Sequence, residues 1–470
     1  MLRIKPVESL LTQAEEKKLL RSLSGLDLML LGVGAIIGTG IFVLTGVGAG
    51  LAGPGLTISF IVAGAACAFA ALAYAELAAM VPVAGSAYTY SYATMGEAVA
   101  WLVGWNLVLE YAVSAGAVAS GWSGYMVGIL DQMGMHLPRA LTTVPEQGGI
   151  MDLPAILISL FVTFLLVIGT KESVTLNRIL VAIKVAVLLL FLVVATPMVD
   201  PINWDPFLPY GWFERVGMGH NVGVFAAAAI IFFAYIGFDA VSTAAEETRN
   251  PNRDLPVGLI GSLLVCTALY IAVSLVATGA LNYQQLADSK EPLAQVLRAI
   301  NYPWIANILA LGAIAGITTV LLVLIYGQTR IFFAMSRDGL LPGLFSRVHP
   351  RYRTPHVITI ITGLFVAVVA GVFPLHEIAA LSNIGTLFAF IAVAAGVMIL
   401  RLSQPNRPRP FRCPAIWFVG PAAILSCLGL MLSLPGETWL RFLLWSLAGM
   451  VIYAFYGFRR SPLHPKGRGR

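Results

Sequence analysis

The sequence predicts an all-α membrane protein with twelve transmembrane helices, and three observations predict it. Hydrophobic residues make up 58% of the 470 and charged residues only 11%, against about 45–50% and about 25% in an average soluble protein. The apolar residues gather in continuous runs of about 20, the length that crosses a ~30 Å hydrocarbon layer. The runs do not alternate apolar with polar, which excludes the strands of a membrane barrel. The same composition removes other classes. A disordered chain is excluded by the apolar content. A secreted disulfide scaffold is excluded because Cys67, Cys266, Cys413 and Cys427 are scattered, three of them in apolar runs. The net charge is +6, yet the basic residues sit in short loops and form no stripe with aromatics, so nucleic acid is not an expected partner.

The twelve expected spans are 28–51, 55–80, 97–130, 153–170, 176–197, 222–247, 256–281, 304–335, 356–373, 377–400, 416–434 and 438–458. The third and eighth are long and are expected to tilt or to extend past the bilayer. With the N-terminus inside, 23 of the 29 Lys and Arg fall on the inner face. Five fall outside (Arg139, Arg215, Lys290, Arg298 and Arg441) and one, Lys184, lies in mid-span. That asymmetry satisfies the positive-inside rule for an even number of spans, with both termini cytoplasmic. Residues 1–27 carry five basic and four acidic residues and no apolar core, so no cleavable signal is expected there. Glu8 to Arg21 reads either as a short amphipathic helix on the inner face or as a polar tail. The largest loops are about 20–25 residues, too short for a soluble nucleotide-binding domain.

Two spans contain breaks. The first carries Gly32, Gly34, Gly38 and Gly40 around the run Gly34-Ala-Ile-Ile-Gly-Thr-Gly-Ile-Phe42. Glycine costs up to ~1 kcal/mol in a helix interior relative to Ala. Such a run either unwinds the helix or lets a neighbour pack closely through small residues. Unwound backbone at membrane depth is tolerated only inside protein or against water, where its N–H and C=O groups bind something polar. The sixth span runs Phe232-Phe-Ala-Tyr-Ile-Gly-Phe-Asp-Ala-Val-Ser242, with Gly237 two residues before Asp239. If spans one to five and six to ten are two repeats, the first and sixth spans correspond. Paired interruptions of this kind point to the binding site of inverted-repeat carriers. Half-helix N-termini suit an anionic group and exposed carbonyls suit a cation, so a zwitterion fits.

Six ordered motifs carry a family likeness. They are Gly34 to Phe42, Tyr74-Ala-Glu-Leu, Pro82-Val-Ala-Gly-Ser-Ala-Tyr-Thr-Tyr90, Ala234-Tyr-Ile-Gly-Phe-Asp239, Glu246-Glu-Thr-Arg-Asn-Pro251 and Met335-Ser-Arg-Asp-Gly-Leu-Leu-Pro342. With them the chain resembles the amino acid–polyamine–organocation superfamily, and within it the bacterial branch of the cationic amino acid transporters. The resemblance covers nearly the whole chain. It implies a five-plus-five inverted repeat with broken first and sixth helices plus two extra C-terminal helices. The corresponding segments are 1–27 (cytoplasmic), 28–200 (first repeat), 201–403 (second repeat), 404–458 (helices eleven and twelve) and 459–470 (cytoplasmic tail). It also implies secondary transport of an amino acid across the cell membrane by alternating access, driven by a proton.

Residue by residue, the resemblance assigns backbone carbonyls of Ile36, Ile37, Ala234 and Ile236 to the substrate ammonium. It assigns N–H groups of Thr39 and Gly40 to the carboxylate and makes Phe233 an aromatic lid, where the alternative is a core or lipid contact. Asp239 is a counter-charge for a cationic side chain, or makes a helix-capping or interhelical hydrogen bond. Leu324 is aligned through Tyr326-Gly-Gln-Thr-Arg330 and shortens the side-chain pocket, which disfavours arginine. Alanine, lysine or a similar small or cationic amino acid is the expected substrate.

Charged groups inside spans are costly, at least ~2.5–3.5 kcal/mol each on insertion scales, and so are functional candidates. Lys184 either snorkels to the inner headgroups or is a buried amine that gains and loses a proton. In the second reading it reaches carbonyls near Gly34–Ile36 and the hydroxyls of Thr318 and Thr319, as a fifth-span lysine replaces a sodium ion in some proton-coupled relatives. Glu110 carries a proton, faces the lysine, or bonds to backbone. Glu76 is read as structural. Glu246, Glu247, Arg249 and Arg253 are solvated loop charges or a gate lock with Arg330 or Arg337. The remaining Trp and Tyr are expected mostly at the membrane interfaces.

No Gly-x-x-x-x-Gly-Lys-Ser/Thr occurs, and His376-Glu377 lacks the second histidine of a metalloprotease motif because residue 380 is Ala380. No cofactor, metal or enzymatic activity is expected. A channel is disfavoured because no filter repeat or charge ring is visible. An exchanger and a binding-only sensor remain the alternatives to symport. Exposed span faces would accommodate a small single-span membrane partner, which nothing in the sequence identifies.

Overall fold

A computed structural model describes residues 3–6, 8, 23–83, 85–169, 174–216, 220–352, 354–461 and 463. The helix expected from Glu8 to Arg21 lies, apart from Glu8, outside the described residues.

The first helix, α1 (Gly25–Ile36), starts on a capping box. Ser24 Oγ accepts from Asp27 N at 3.4 Å while Asp27 accepts from Ser24 N at 3.0 Å. Asp27 also receives Arg178 Nε at 2.9 Å, which ties this end to a later helix. α1 stops at Ile37, whose φ and ψ are −72° and 103°. The chain resumes as α2 (Thr39–Phe42) and α3 (Leu44–Ala52), then runs through a tight turn at Gly53–Gly55 into α4 (Leu56–Met80). A short α5 (Ser86–Thr94) leads to α6 (Glu97–Gln132), 36 residues long, and α7 (Leu153–Ile168) and α8 (Val174–Ala195) follow.

A small hairpin, β1 (Glu214–Val216) against β2 (His220–Val222), precedes the second interrupted helix. That helix is α9 (Val224–Ile231), a tight turn at Phe232–Tyr235, and α10 (Ala240–Thr243). Then come α11 (Pro251–Ala280), α12 (Tyr283–Ala287), α13 (Pro292–Ala299), α14 (Pro303–Arg337), α15 (His356–Val372), α16 (Leu375–Ser403), α17 (Ile416–Ser433) and α18 (Gly436–Ile452).

Among the described residues nine helices are long and apolar enough to cross a membrane, and three shorter apolar ones are Gly25–Ile36, Leu153–Ile168 and His356–Val372. The chain is therefore an all-helical, multi-pass membrane protein. The first expected span falls among the short ones for a physical reason: its break at Ile37 and Gly38 leaves a 12-residue stub.

α6 is the axis of the bundle. Its apolar window is 94% buried, against 22% for the window of Gly436–Arg460 at the periphery, so the last helices face lipid and α6 does not. α14 and α16 pack along α6, and α11 packs on α1 and α4. α18 docks through indoles. Trp105 stacks on Trp445 with ring centres 4.6 Å apart, and each indole donates to the other's carbonyl, at 2.9 and 3.1 Å. A side chain at Gly449 would strike Trp105, its Cβ falling 2.3 Å from Cδ1.

Two polar clusters close the face that carries the termini. Glu97, at the start of α6, accepts from Arg3 (3.2 Å), Tyr92 (3.0 Å), Tyr453 (2.9 Å) and Ser461. Lys5 pairs with Asp338 at 3.2 Å just past α14. In the second cluster Glu76 of α4 receives Arg401 of α16 through two bonds of 2.8 and 2.6 Å and the Cys413 amide at 2.8 Å. A buried pair loses heavily when one partner is removed, because the other charge stays in low dielectric. Arg401→Ala is therefore expected to cost on the order of 3 kcal/mol. A lowered melting midpoint of the detergent-extracted protein checks this, and an unchanged midpoint would rule out the clamp.

Candidate functional site

The two interrupted helices cross where both are unwound. A Cβ on Gly40 would fall 2.2 Å from Ala234 Cα, and a Cβ on Gly237 would fall 2.9 Å from Ala35 O. Gly237 has φ of +115°, a conformation that favours glycine. As the residue number rises on one strand of this crossing it falls on the other, so the breaks run antiparallel. Contact this close between backbones requires the glycines that the sequence supplies.

A narrow cavity lies at the crossing, with about 260 Å³ of empty space counting its open mouth. Ala35, Ile36, Gly38, Thr39 and Gly40 line it from the first break, and Phe233 and Ile236 from the second. Ser114 and Val118 of α6 and Val320 and Leu324 of α14 complete the wall. Six of the residues singled out in the sequence thus meet at one cavity: Ile36, Thr39, Gly40, Phe233, Ile236 and Leu324. Ile37 and Ala234 are buried beside it, and Ala234 packs on Gly40. Thr39 Oγ1 donates to Val118 O at 3.5 Å.

The polar groups offered here are mainly backbone. Thr39 and Gly40 open a helix, so their N–H groups have no partner one turn earlier. On the carbonyl side four oxygens near the breaks have partners. Val33 O accepts from Ile37 N at 2.9 Å. Gly34 O accepts from Lys184 Nζ at 2.6 Å. The hydroxyl of Tyr270, on α11, stands 3.0 Å from both Ile36 O and Ala234 O.

Lys184 is fully buried, so it does not snorkel. It contacts the first break as expected, but not Thr318 or Thr319. Thr318 donates to Ile314 O at 2.7 Å and receives Trp122 Nε1 at 3.0 Å, and Thr319 donates to Gly316 O at 2.7 Å. What α14 gives the lysine is room. A Cβ on Gly316 would sit 2.9 Å from Lys184 Cγ and 3.0 Å from Cε. Sequence reading passed over Gly316 because one glycine in a long apolar helix carries no signal of its own.

Asp239 is not on the cavity wall. It is 2% exposed, and its Oδ2 accepts from Tyr111 (3.1 Å) and Ser86 (3.4 Å), with Tyr74 bonded to Ser86 in turn. Its Oδ1 and both carboxylate oxygens of Glu110 are buried and meet no hydrogen-bond donor among the described residues. Among the described residues Glu110 makes no hydrogen bond to Lys184, and it is not one of the residues lining the cavity. Tyr74, Tyr90, Tyr235 and Tyr270 are at most 1% exposed, so these four are inside the bundle and not interface anchors. A buried tyrosine usually finds a partner for its hydroxyl, and that was the available signal for Tyr270. In the proposed gate lock, the Glu246 side chain lies outside the described residues, and Arg330 lies over the Tyr326 ring at 4.1 Å.

A second cavity, about 1050 Å³ with its open mouth, lies among the loops opposite the termini and reaches Val43, Val47 and Ser120. Val43 is one helical turn beyond Thr39. Lys290, on its rim, donates to Thr142 O at 2.9 Å, and burial draws its ammonium below the ordinary lysine range, with Asp152 acting the other way. Histidine and carboxylate ligand atoms of Glu146, His376 and Glu377 lie within 4.8 Å of one another at this face. Glu377 is already engaged by Arg441 at 2.6 Å.

Comparison with known proteins places this geometry. The family model described as amino acid permease matches residues 23–457. The chain is 51% identical over 467 residues to the branched-chain amino acid permease BcaP of Bacillus subtilis, covering 98% of each. It is 47% identical over 467 residues to the methylthioribose transporter of the same organism, covering 99% of each. It is 40% identical to the vacuolar cationic amino acid transporter 4 of Arabidopsis thaliana, over 86% of this chain and 68% of that one. Broken helices crossing at a cavity, inside a multi-pass helical bundle that matches along almost its whole length, make this chain a member of the amino acid permease family.

Proposed function

We propose that the chain imports a small aliphatic L-amino acid together with a proton, by alternating access around the crossing of the two broken helices. The carrying observation is the cavity itself. Its polar lining is the Thr39 and Ser114 side chains together with backbone of the two breaks, which offers N–H groups at Thr39 and Gly40 and carbonyls near Ile36 and Ile236. Its side-chain wall is Val118, Phe233, Ile236, Val320 and Leu324. A zwitterion would meet the backbone and an aliphatic side chain would meet the wall. No acidic group stands on that wall, which favours alanine or a branched aliphatic substrate over lysine. The relatives named for branched-chain amino acids support the same choice. The antiparallel crossing supports the five-plus-five inverted repeat, with repeats 28–200 and 201–403, two further helices and twelve spans in all. The basic-residue asymmetry supports cytoplasmic termini and the cell membrane.

Lys184 supports the proton as coupling ion. A protonated amine and a neutral one make different demands on Gly34 O, at the end of the helix whose next exposed carbonyl, Ile36 O, lies at the substrate cavity. Each ligand then changes the state that the other binds, which is the requirement for coupling. The cavity near Val43 supports an entrance from the side opposite the termini.

The test is uptake of labelled valine, alanine, lysine and arginine into sodium-free proteoliposomes, with and without an inward proton gradient. Gradient-driven accumulation of valine or alanine is the expected result. Exchange against preloaded amino acid without accumulation would favour an exchanger. Lys184→Ala is expected to abolish gradient-driven accumulation while saturable binding persists, and unchanged proton dependence would remove the lysine from coupling. Leu324→Ser opens the wall and is expected to admit arginine several-fold better, since a methylene-scale change in a pocket moves discrimination about 10- to 200-fold at most. An unchanged substrate profile would show that Leu324 does not bound the pocket.

A further inference from the structure

We propose that Asn383, on α16, is a positioning residue that caps the first half of the second broken helix and so fixes where Phe233 stands on the cavity wall; this rests on the cavity being the amino acid site.

The regular ladder of α9 ends where Phe232 N donates to Ala228 O. The next two carbonyls in line belong to Ala229 and Ile230, and carbonyls at the end of a helix lack a partner within it. Asn383 Nδ2 donates to both, at 2.7 Å and 2.8 Å. Only the nitrogen of the amide carries protons, and it carries two, so a pair of carbonyl partners fixes which way the group points. The side chain is fully buried, and its Oδ1 meets no donor among the described residues. An unsatisfied buried acceptor is costly, and an apolar residue would not incur that cost. What asparagine contributes here is therefore confined to the two carbonyls. Phe233, which lines the cavity, follows Ile230 by three residues. Two turns further along the same face of α16, Phe390 packs on Phe232 at 5.9 Å and on Phe238 at 5.0 Å. Ring contacts tolerate rotation, whereas hydrogen bonds set the direction of the carbonyls. The neighbouring Ser382 is bonded to Ser114, a cavity residue of α6. Consecutive residues of α16 thus tie to two walls of the cavity without lining it. Without the amide, two buried carbonyls lose their donor, the end of α9 turns toward other partners, and Phe233 moves with it.

The experiment is a double-mutant cycle, read as the dissociation rate of labelled L-valine from the full chain in proteoliposomes. It uses wild type, Asn383→Leu, Phe233→Leu and the double variant. Asn383→Leu is expected to speed valine dissociation roughly tenfold. Phe233→Leu is expected to speed it as well. In that background Asn383→Leu is expected to add less than about twofold, because the amide acts through the ring. Equal factors in both backgrounds would show that the amide acts on the fold at large and would overturn the proposal. A wild-type rate in either single variant would overturn it too. Where Asn383→Leu does not survive extraction, Asn383→Asp takes its place in the cycle. It matches the volume and leaves at most one donor for two carbonyls, and the same dependence on Phe233 is expected. Failure of both variants to insert into membranes would assign the amide to folding, which also overturns the proposal. Absence of saturable valine binding by the wild type would instead sink the reading of the cavity as the amino acid site.

Discussion

The structure depends on one constraint: backbone that leaves the helix inside a membrane must still find hydrogen-bond partners. Helices satisfy themselves, and lipid offers nothing to the rest. Two interruptions at membrane depth therefore create a debt that only neighbouring elements can settle. Lys184 from α8 settles it at Gly34 O, and Tyr270 from α11 settles it at Ile36 O and Ala234 O. Two flanking helices, one on each side of the crossing in sequence, are thus bonded to the breaks by single side chains.

Small residues make that arrangement possible at three places. Gly40 lets the second break touch the first, Gly237 lets its backbone turn against Ala35 O, and Gly316 lets the lysine stem lie along α14. Each would be blocked by a single methyl group, and two of the three obstacles are backbone, which cannot rotate aside. The tight crossing and the buried lysine are consequently one construction. The contacts between the two breaks leave no room for an added methyl group. The ion pairs at Glu97, Asp338 and Glu76 close the termini face around this crossing, and alternating access would have to open some of them.

The spans were legible because apolar length is a composition property, and the breaks because glycine clusters interrupt it. Lys184 was legible because a charge in an apolar run is rare. Tyr270 and Gly316 were not, since a tyrosine or a glycine in a span has several ordinary explanations and only three-dimensional placement selects one. Asp239 was legible as a charge, and the contacts it makes are those of its hydrogen-bonded reading: Tyr111 and Ser86 donate to it, and those hydroxyls belong to helices far off in sequence. Charge is visible along a chain, while the hydroxyls that engage it are common enough to pass unnoticed.

The site divides its work by atom type. Its polar lining is mostly main chain, while its wall is side chain from α6, α14 and the second break. Main-chain groups change little under substitution, because every residue carries the same N–H and C=O. Wall residues change freely in size, within what the crossing tolerates. A fold built this way can keep one means of gripping the invariant end of its cargo while the variable end is set by a few apolar positions. The cost is that such a grip has few side chains of its own to tune, so its geometry depends on groups outside the lining, such as Lys184 and Tyr270, that bond to the breaks.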